Sequence, residues 1–248
     1  MKTIALLLAP VLLLSLGGCI QLQNQTTLNG DGSGTVSLDY TMSTEVEGAF
    51  KELQTLDGGM NEDMGEVPMF DESFDKAALE SKLKENGAKL TAFSNSVADG
   101  QRKVHIEISF KNPEGMEAAL GGALAAGGAL GLFKNQDGDY VLKGVPTPEA
   151  EGEDEADEAP AQEDMAKAME NAQKSMAIMG KLMAHMNEIS MDMRITVPGD
   201  VLSHNAHTLD GRTCIWHIDS SNMMSAQGMD EPEIVFSGKG LNIAAPNY

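Results

Sequence analysis

Three segments of this chain alternate apolar and polar residues with a period of two. They are Val36, Leu38, Tyr40 and Met42; Val104, Ile106, Ile108 and Phe110; and Ile189, Met191, Met193, Ile195 and Val197. A strand points successive side chains to opposite faces, so each segment is apolar on one side and polar on the other. Such strands belong to a sheet with one face on a core and one on solvent, which is typically antiparallel. The turns between them agree. Asn29-Gly30-Asp31-Gly32-Ser33-Gly34 separates a strand over 22–28 from one over 35–42, and Asp31, Gly32 and Gly34 are read as structural turn residues. Asp99-Gly100 joins strands over 88–98 and 103–110 in the same way. Between these hairpins the period changes. Ser43 or Thr44 caps a helix carrying Val46, Ala49, Phe50 and Leu53 on one stripe. A loop over 57–70 leads to a second helix from Asp71 or Ser73, with Phe74, Ala77, Ala78 and Leu83 on its stripe and Asn86-Gly87 at its end. A late strand places Cys214, Trp216 and Ile218 on one face, with Trp216 as a core residue. The pattern predicts an α+β fold: a curved antiparallel β-sheet with helices packed on it, in a single domain.

The N-terminus has a different character. Lys2 precedes a nearly unbroken apolar run over 4–16, too short for the roughly 20 residues of a spanning helix. It ends in Leu16-Gly17-Gly18-Cys19, small residues followed by a thiol that can take a diacylglycerol. Residues 1–18 are read as a lipoprotein signal peptide and residues 19–248 as the mature lipoprotein. Cys19 is the lipidation site and the bilayer is its partner, reached through acyl chains such as palmitate. Ile20, rather than an acid, follows Cys19. That pattern predicts a lipid-anchored envelope protein on the outer membrane, facing the periplasm. Cys214 is then the only free thiol and suits a buried strand position.

Charge and composition exclude more than they assign. A net charge of −21 repels phosphate backbones, so nucleic acid is not a partner. Residues 112–165 are read as a long excursion from the sheet. Within it, residues 115–131 are almost entirely Gly, Ala and Leu, read as a helix from near Glu114 that frays into a loop. Residues 149–164 hold nine acids in sixteen positions, read as a disordered linker.

The longest helix covers 165–186. Met165, Met169, Ala172, Met176, Met179, Leu182, Met183 and Met186 follow each other at three- and four-residue steps. The stripe either packs the helix across the sheet or forms an adaptable surface for an apolar ligand or protein partner, with Met169, Met176, Met179, Met183 and Met186 as its residues. His204, His207 and His217 are the best metal candidates, and no carboxylate completes the set. No metal, cofactor or catalytic constellation is assigned. Phosphate loop, nucleophile elbow and metalloprotease helix are all missing from the sequence. His105 falls on the solvent face of its strand, and residues 237–248 read as a loose tail.

Cys19, the hairpin around Asp31-Gly32-Ser33-Gly34, and Asp210-Gly211-Arg212-Thr213 leading into Trp216 resemble bacterial lipoproteins with an LppM-like domain. The resemblance implies an α+β domain with a curved antiparallel sheet, no known catalytic residues, and in some members a lipid-like ligand. The expectation is a membrane-anchored, non-catalytic envelope lipoprotein that binds an apolar or lipid-like ligand or an envelope protein. A structural envelope protein and a hydrolase with an unrecognised site are the alternatives.

Overall fold

A computed structural model describes residues 20–54, 76–123, 129–145, 162–222 and 231–248. Strand β1 (Ile20–Leu28) and strand β2 (Gly34–Ser43) pair antiparallel over their whole length, from Ile20 opposite Met42 to Leu28 opposite Gly34. Their turn is closed by Asp31. One carboxylate oxygen accepts hydrogen bonds from the Ser33 hydroxyl at 2.6 Å and the Ser33 amide at 3.0 Å, which hold the Asp31 carboxyl below the ordinary carboxylate range. Gly32 supplies the left-handed φ of +86° that the turn needs.

Helix α1 (Thr44–Gln54) follows at once, with the Ser43 hydroxyl accepting from the Val46 amide as its N-cap. Helix α2 (Lys76–Lys84) buries Leu79 and Leu83, while Ala77 faces solvent. Strands β3 (Ala88–Ala98) and β4 (Gln101–Phe110) form the second hairpin, with Asp99 and Gly100 both at positive φ. Helix α3 (Pro113–Ala123) starts under an Asn112 cap that accepts from the Gly115 amide. The remaining elements are β5 (Ala129–Lys134), β6 (Tyr140–Val145), α4 (Gln162–Ala184), β7 (Ile189–Thr196), β8 (Val201–His204), β9 (Thr208–Asp210), β10 (Thr213–Asp219) and β11 (Glu233–Phe236).

The α+β class stands, and its sheets differ from the expectation in two ways. Among the described residues there are two of them: seven strands in the order β3-β4-β2-β1-β7-β10-β9, and four in the order β5-β6-β11-β8. The larger one is mixed, because β1 runs parallel to β7 over eight residue pairs. A parallel neighbour needs a long crossover. The helices and strands between Leu28 and Ile189 make up that crossover, and alternation within a strand carries no sign of its direction.

One core joins the two sheets. Leu38, Tyr40, Ile106, Ile108, Ile195 and Trp216 from the larger sheet cluster with Leu132, Tyr140, Leu142, Ile234 and Phe236 from the smaller one. The stretch beginning at 112 is therefore no excursion in its described part. Met116, Ala119 and Leu120 of α3 and Leu130 and Leu132 of β5 are buried core residues. Residues 129–131 open a strand, where the composition predicted a fraying helix. Of the acidic run, residues 162–164 lie in α4 and the rest falls outside the described residues. The C-terminal tail is also tied down. Ile243 is buried, its amide and carbonyl both bond the buried Tyr140 hydroxyl at 3.0 Å, and Tyr248 bonds the Lys134 carbonyl at 2.8 Å.

Candidate functional site

The larger sheet has one face in the core and leaves the other open. Alternation then brings polar residues of five adjacent strands into one row on that open face. Asp39 of β2 stands opposite both His105 of β4 and Gln23 of β1. Gln23 stands opposite Asp192 of β7, and Asp192 opposite His217 of β10. The order His105, Asp39, Gln23, Asp192, His217 spans about 19 Å at ~4.8 Å per strand. Each histidine is bonded to its aspartate through Nδ1, at 2.8 Å in both pairs. At the centre lies a cavity of about 310 Å³ lined by Gln23, Asn24, Gln25, Ser37, Asp39, Asp192 and Arg194. Its size is near the lower end of ordinary ligand sites, roughly 300–1,000 Å³. The lining offers amides, carboxylates, a hydroxyl and a guanidinium, which suit hydrogen bonding and not apolar contact.

The arrangement stops short of nucleophilic chemistry. Ser94 of β3 stands opposite His105, so Asp39, His105 and Ser94 follow in order across three strands. Yet the other nitrogen of His105, Nε2, lies 3.7 Å from Glu107 Oε1. A hydroxyl becomes a nucleophile when its base is within hydrogen-bond reach, and no Ser94–His105 hydrogen bond occurs among the described residues.

The His217–Asp192 bond, followed by the negative charges of Asp192 and Asp219, holds the His217 pKa above its ordinary 6.5. The folded state therefore binds this proton more tightly than the unfolded chain. The resulting stabilisation is full below pH 6.5 and is lost as pH rises through the folded pKa. A proton NMR titration should place the His217 inflection above 6.5, and Asp192→Asn should move it down. An unchanged inflection in that variant would remove Asp192 as the cause.

The methionines of α4 lie elsewhere. α4 packs on α1, where Ile178 joins Ala49 and Leu53 with Leu182 partly buried beside them. The helix thus rests on another helix, in place of lying across the sheet. Met169, Met176 and Met183 are 67%, 74% and 65% exposed, and Met179 is half-buried. Met186 opens a short 3-10 turn, Met186–Glu188, leading into β7. The exposed three recur every seven residues along one outward line of the helix.

Cys19 lies outside the described residues, and β1 begins at the next residue, Ile20. Trp216 is 3% exposed, and Cys214 is a buried free thiol whose pKa burial pushes up. Gly34 is buried at the start of β2. His204, His207 and His217, the best metal candidates in the sequence but not assigned one, form no metal-holding group among the described residues. His217 bonds Asp192, and its backbone amide donates to His207 Nδ1 at 3.0 Å. Among the described residues no group of three or more His, Cys, Asp or Glu could hold a metal ion. Among the same residues no helix is long and apolar enough to cross a membrane. Sequence reasoning missed the open-face row because β2 and β4 are not consecutive, and their register appears only once they are paired.

No protein-family model and no curated protein matches this sequence. Among solved structures the chain is similar to the NMR structure of the folded domain of LppM from Mycobacterium tuberculosis, at 12% identity and a TM-score of 0.39. The superposition covers 89% of this chain and 90% of that one. A likeness at that level carries no function from one chain to the other.

Proposed function

We propose that the mature chain is a lipid-anchored, non-catalytic binding domain of the bacterial cell envelope, held by acylated Cys19. The observation that carries this reading is the place of the anchor. Cys19 directly precedes β1, which is the middle strand of seven. An acyl anchor there joins the sheet without a spacer, so the bilayer holds the domain at a fixed short distance. The exposed methionines of α4 then form a surface for an apolar ligand or an envelope protein, since Met adapts to irregular apolar shapes. Ile20 after the anchor favours the outer membrane and its periplasmic side.

The test follows the cysteine. Wild-type protein made in a bacterial host should incorporate labelled palmitate and sediment with membranes. Cys19→Ser should do neither, with its circular dichroism unchanged. Unlabelled, freely soluble wild-type protein would sink the anchor. For the ligand, residues 20–248 exposed to a bacterial lipid extract should show a lipid-mass adduct in native mass spectrometry. Met176→Lys with Met183→Lys should remove it without unfolding, because both side chains face solvent. The polar cavity on the open sheet face favours a second reading, a small hydrogen-bonding ligand. An adduct that survives the methionine changes and is lost with Asp39→Asn and Asp192→Asn would select it.

A further inference from the structure

Long sheet edges invite pairing with another chain, and proteins guard them with charge, proline, bulges or brevity. Three of the four edge strands here are guarded. β9 is three residues long, β8 is four with an irregular register against β11, and β5 packs against α3 and the C-terminal residues. β3 is the exception. It is eleven residues long, and among the described residues nothing pairs with its outer edge. Its bulge lies between Leu90 and Ala92, so the run from Ala92 to Ala98 is regular, and its last five residues are exposed. That run holds no charge and no proline.

The same seven residues are self-complementary. Ala92-Phe93-Ser94-Asn95-Ser96-Val97-Ala98 keeps its character when read backwards: Ala, apolar, Ser, Asn, Ser, apolar, Ala. We propose that β3 pairs antiparallel with β3 of a second copy, about a two-fold axis midway between the two Asn95 residues, making one continuous sheet. A two-fold contact must match a patch to itself. In this register Phe93 meets Val97 of the second copy, Ser94 meets its Ser96, and Asn95 meets its own counterpart. Aromatic with β-branched and hydroxyl with hydroxyl are favourable cross-strand pairs, and no like charges come face to face. The pairing also gives Val97, 55% exposed on a large apolar side chain, an aromatic cover. The axis is perpendicular to the sheet, so two Cys19 anchors reach one bilayer when the sheet lies parallel to it.

The experiment uses the mature chain with Cys19→Ser, which leaves the buried Cys214 as its only native thiol. Sedimentation equilibrium should show a monomer–dimer equilibrium, and rising salt should strengthen it by screening the net charge, which is −21 for the whole sequence and −22 for the mature chain without Lys2. Asn95→Cys should form a disulfide dimer in oxidised glutathione, because directly opposed residues have Cβ atoms about 4.5–5.5 Å apart. Ser109→Cys, on the open face of β4, should not. Ser94→Lys with Ser96→Lys sets lysine against lysine and should weaken the dimer ~tenfold or more. Asn95 accepts a hydrogen bond from Arg102, so Ser94→Cys with Ser96→Cys provides a second crosslink across the same axis. A monomer at every concentration overturns the proposal. So does a dimer that the lysines leave intact and that crosslinks no faster at 94–96 than at 109; the interface would then lie elsewhere.

Discussion

Trp216→Ala should lower the unfolding free energy by about 3–5 kcal/mol, as large-to-small changes of aromatic core residues do. Trp216 is 3% exposed and lies between Cys214 and Ile218 on the buried face of β10. Its neighbour across the ladder is Met193 of β7, one strand from the centre of the sheet. Only 4% of the chain is aromatic, so few side chains could fill the space that an indole leaves. Trp216→Phe separates volume from polarity. The indole Nε1 is buried without a hydrogen-bond partner among the described residues. Removing that donor offsets part of the lost packing, so Phe should cost about 1 kcal/mol, within the range of near-conservative core swaps. Urea unfolding followed by far-UV circular dichroism measures both, since the chain has no other tryptophan to follow by fluorescence. A cost near zero for alanine would place the indole outside the cooperative core.

The hairpins were legible because each carries two independent signals, an alternating strand and a turn with residues that tolerate positive φ. Asp99 and Gly100 are at positive φ, and β2 and β4 bury Val36 to Met42 and Val104 to Phe110 in strict alternation. In the second sheet a turn at Asp137-Gly138-Asp139 and strands at Tyr140-Val141-Leu142, Val201–Asn205 and Ile234-Val235-Phe236 were legible too, and the structure has β6, β8 and β11 there; the strand that was not legible is β5. β5 buries Leu130 and Leu132, but Gly131 between them looks like loop composition. A Cβ there would lie 2.6 Å from Val145 and 2.9 Å from the Phe133 ring, so the glycine reflects close packing and not freedom. On α4 the methionine stripe was the strongest period in the helix, yet the buried contact is Ile178, which lies off the stripe, with Leu182 of the stripe only partly buried beside it. Spacing identifies a face and not its partner. The open-face row depended on register across five strands, including the parallel β1–β7 pair that no local pattern marks.

The Gly-rich turn at 29–34 contains glycines of two physical kinds, and substitution separates them. Gly32 and Gly100 are at positive φ, where any other residue is strained, and the cost of alanine is about 1 kcal/mol before contacts. At Gly100 nothing lies within 4 Å of an added Cβ, so that cost stands alone. At Gly32 the Cβ would also come within 2.9 Å of Ile243 Cγ2, part of the tail held by Tyr140, which raises it. Gly34 is not among the positive-φ residues. It pairs with Leu28 on one side and Phe110 on the other, and an added Cβ would run into the Thr27 carbonyl oxygen and the Phe110 ring. The carbonyl is backbone, and Phe110 is 2% exposed in the core, so neither can yield without moving a strand. Gly34→Ala should therefore cost about 3 kcal/mol, the upper end of ordinary overpacking. Urea midpoints should fall in the order Gly100→Ala, Gly32→Ala, Gly34→Ala, with the last by far the lowest. A Gly34→Ala variant no weaker than Gly100→Ala would show that the strands can part there at little cost. Position 34 would then have no strict need of glycine, since its φ sets none.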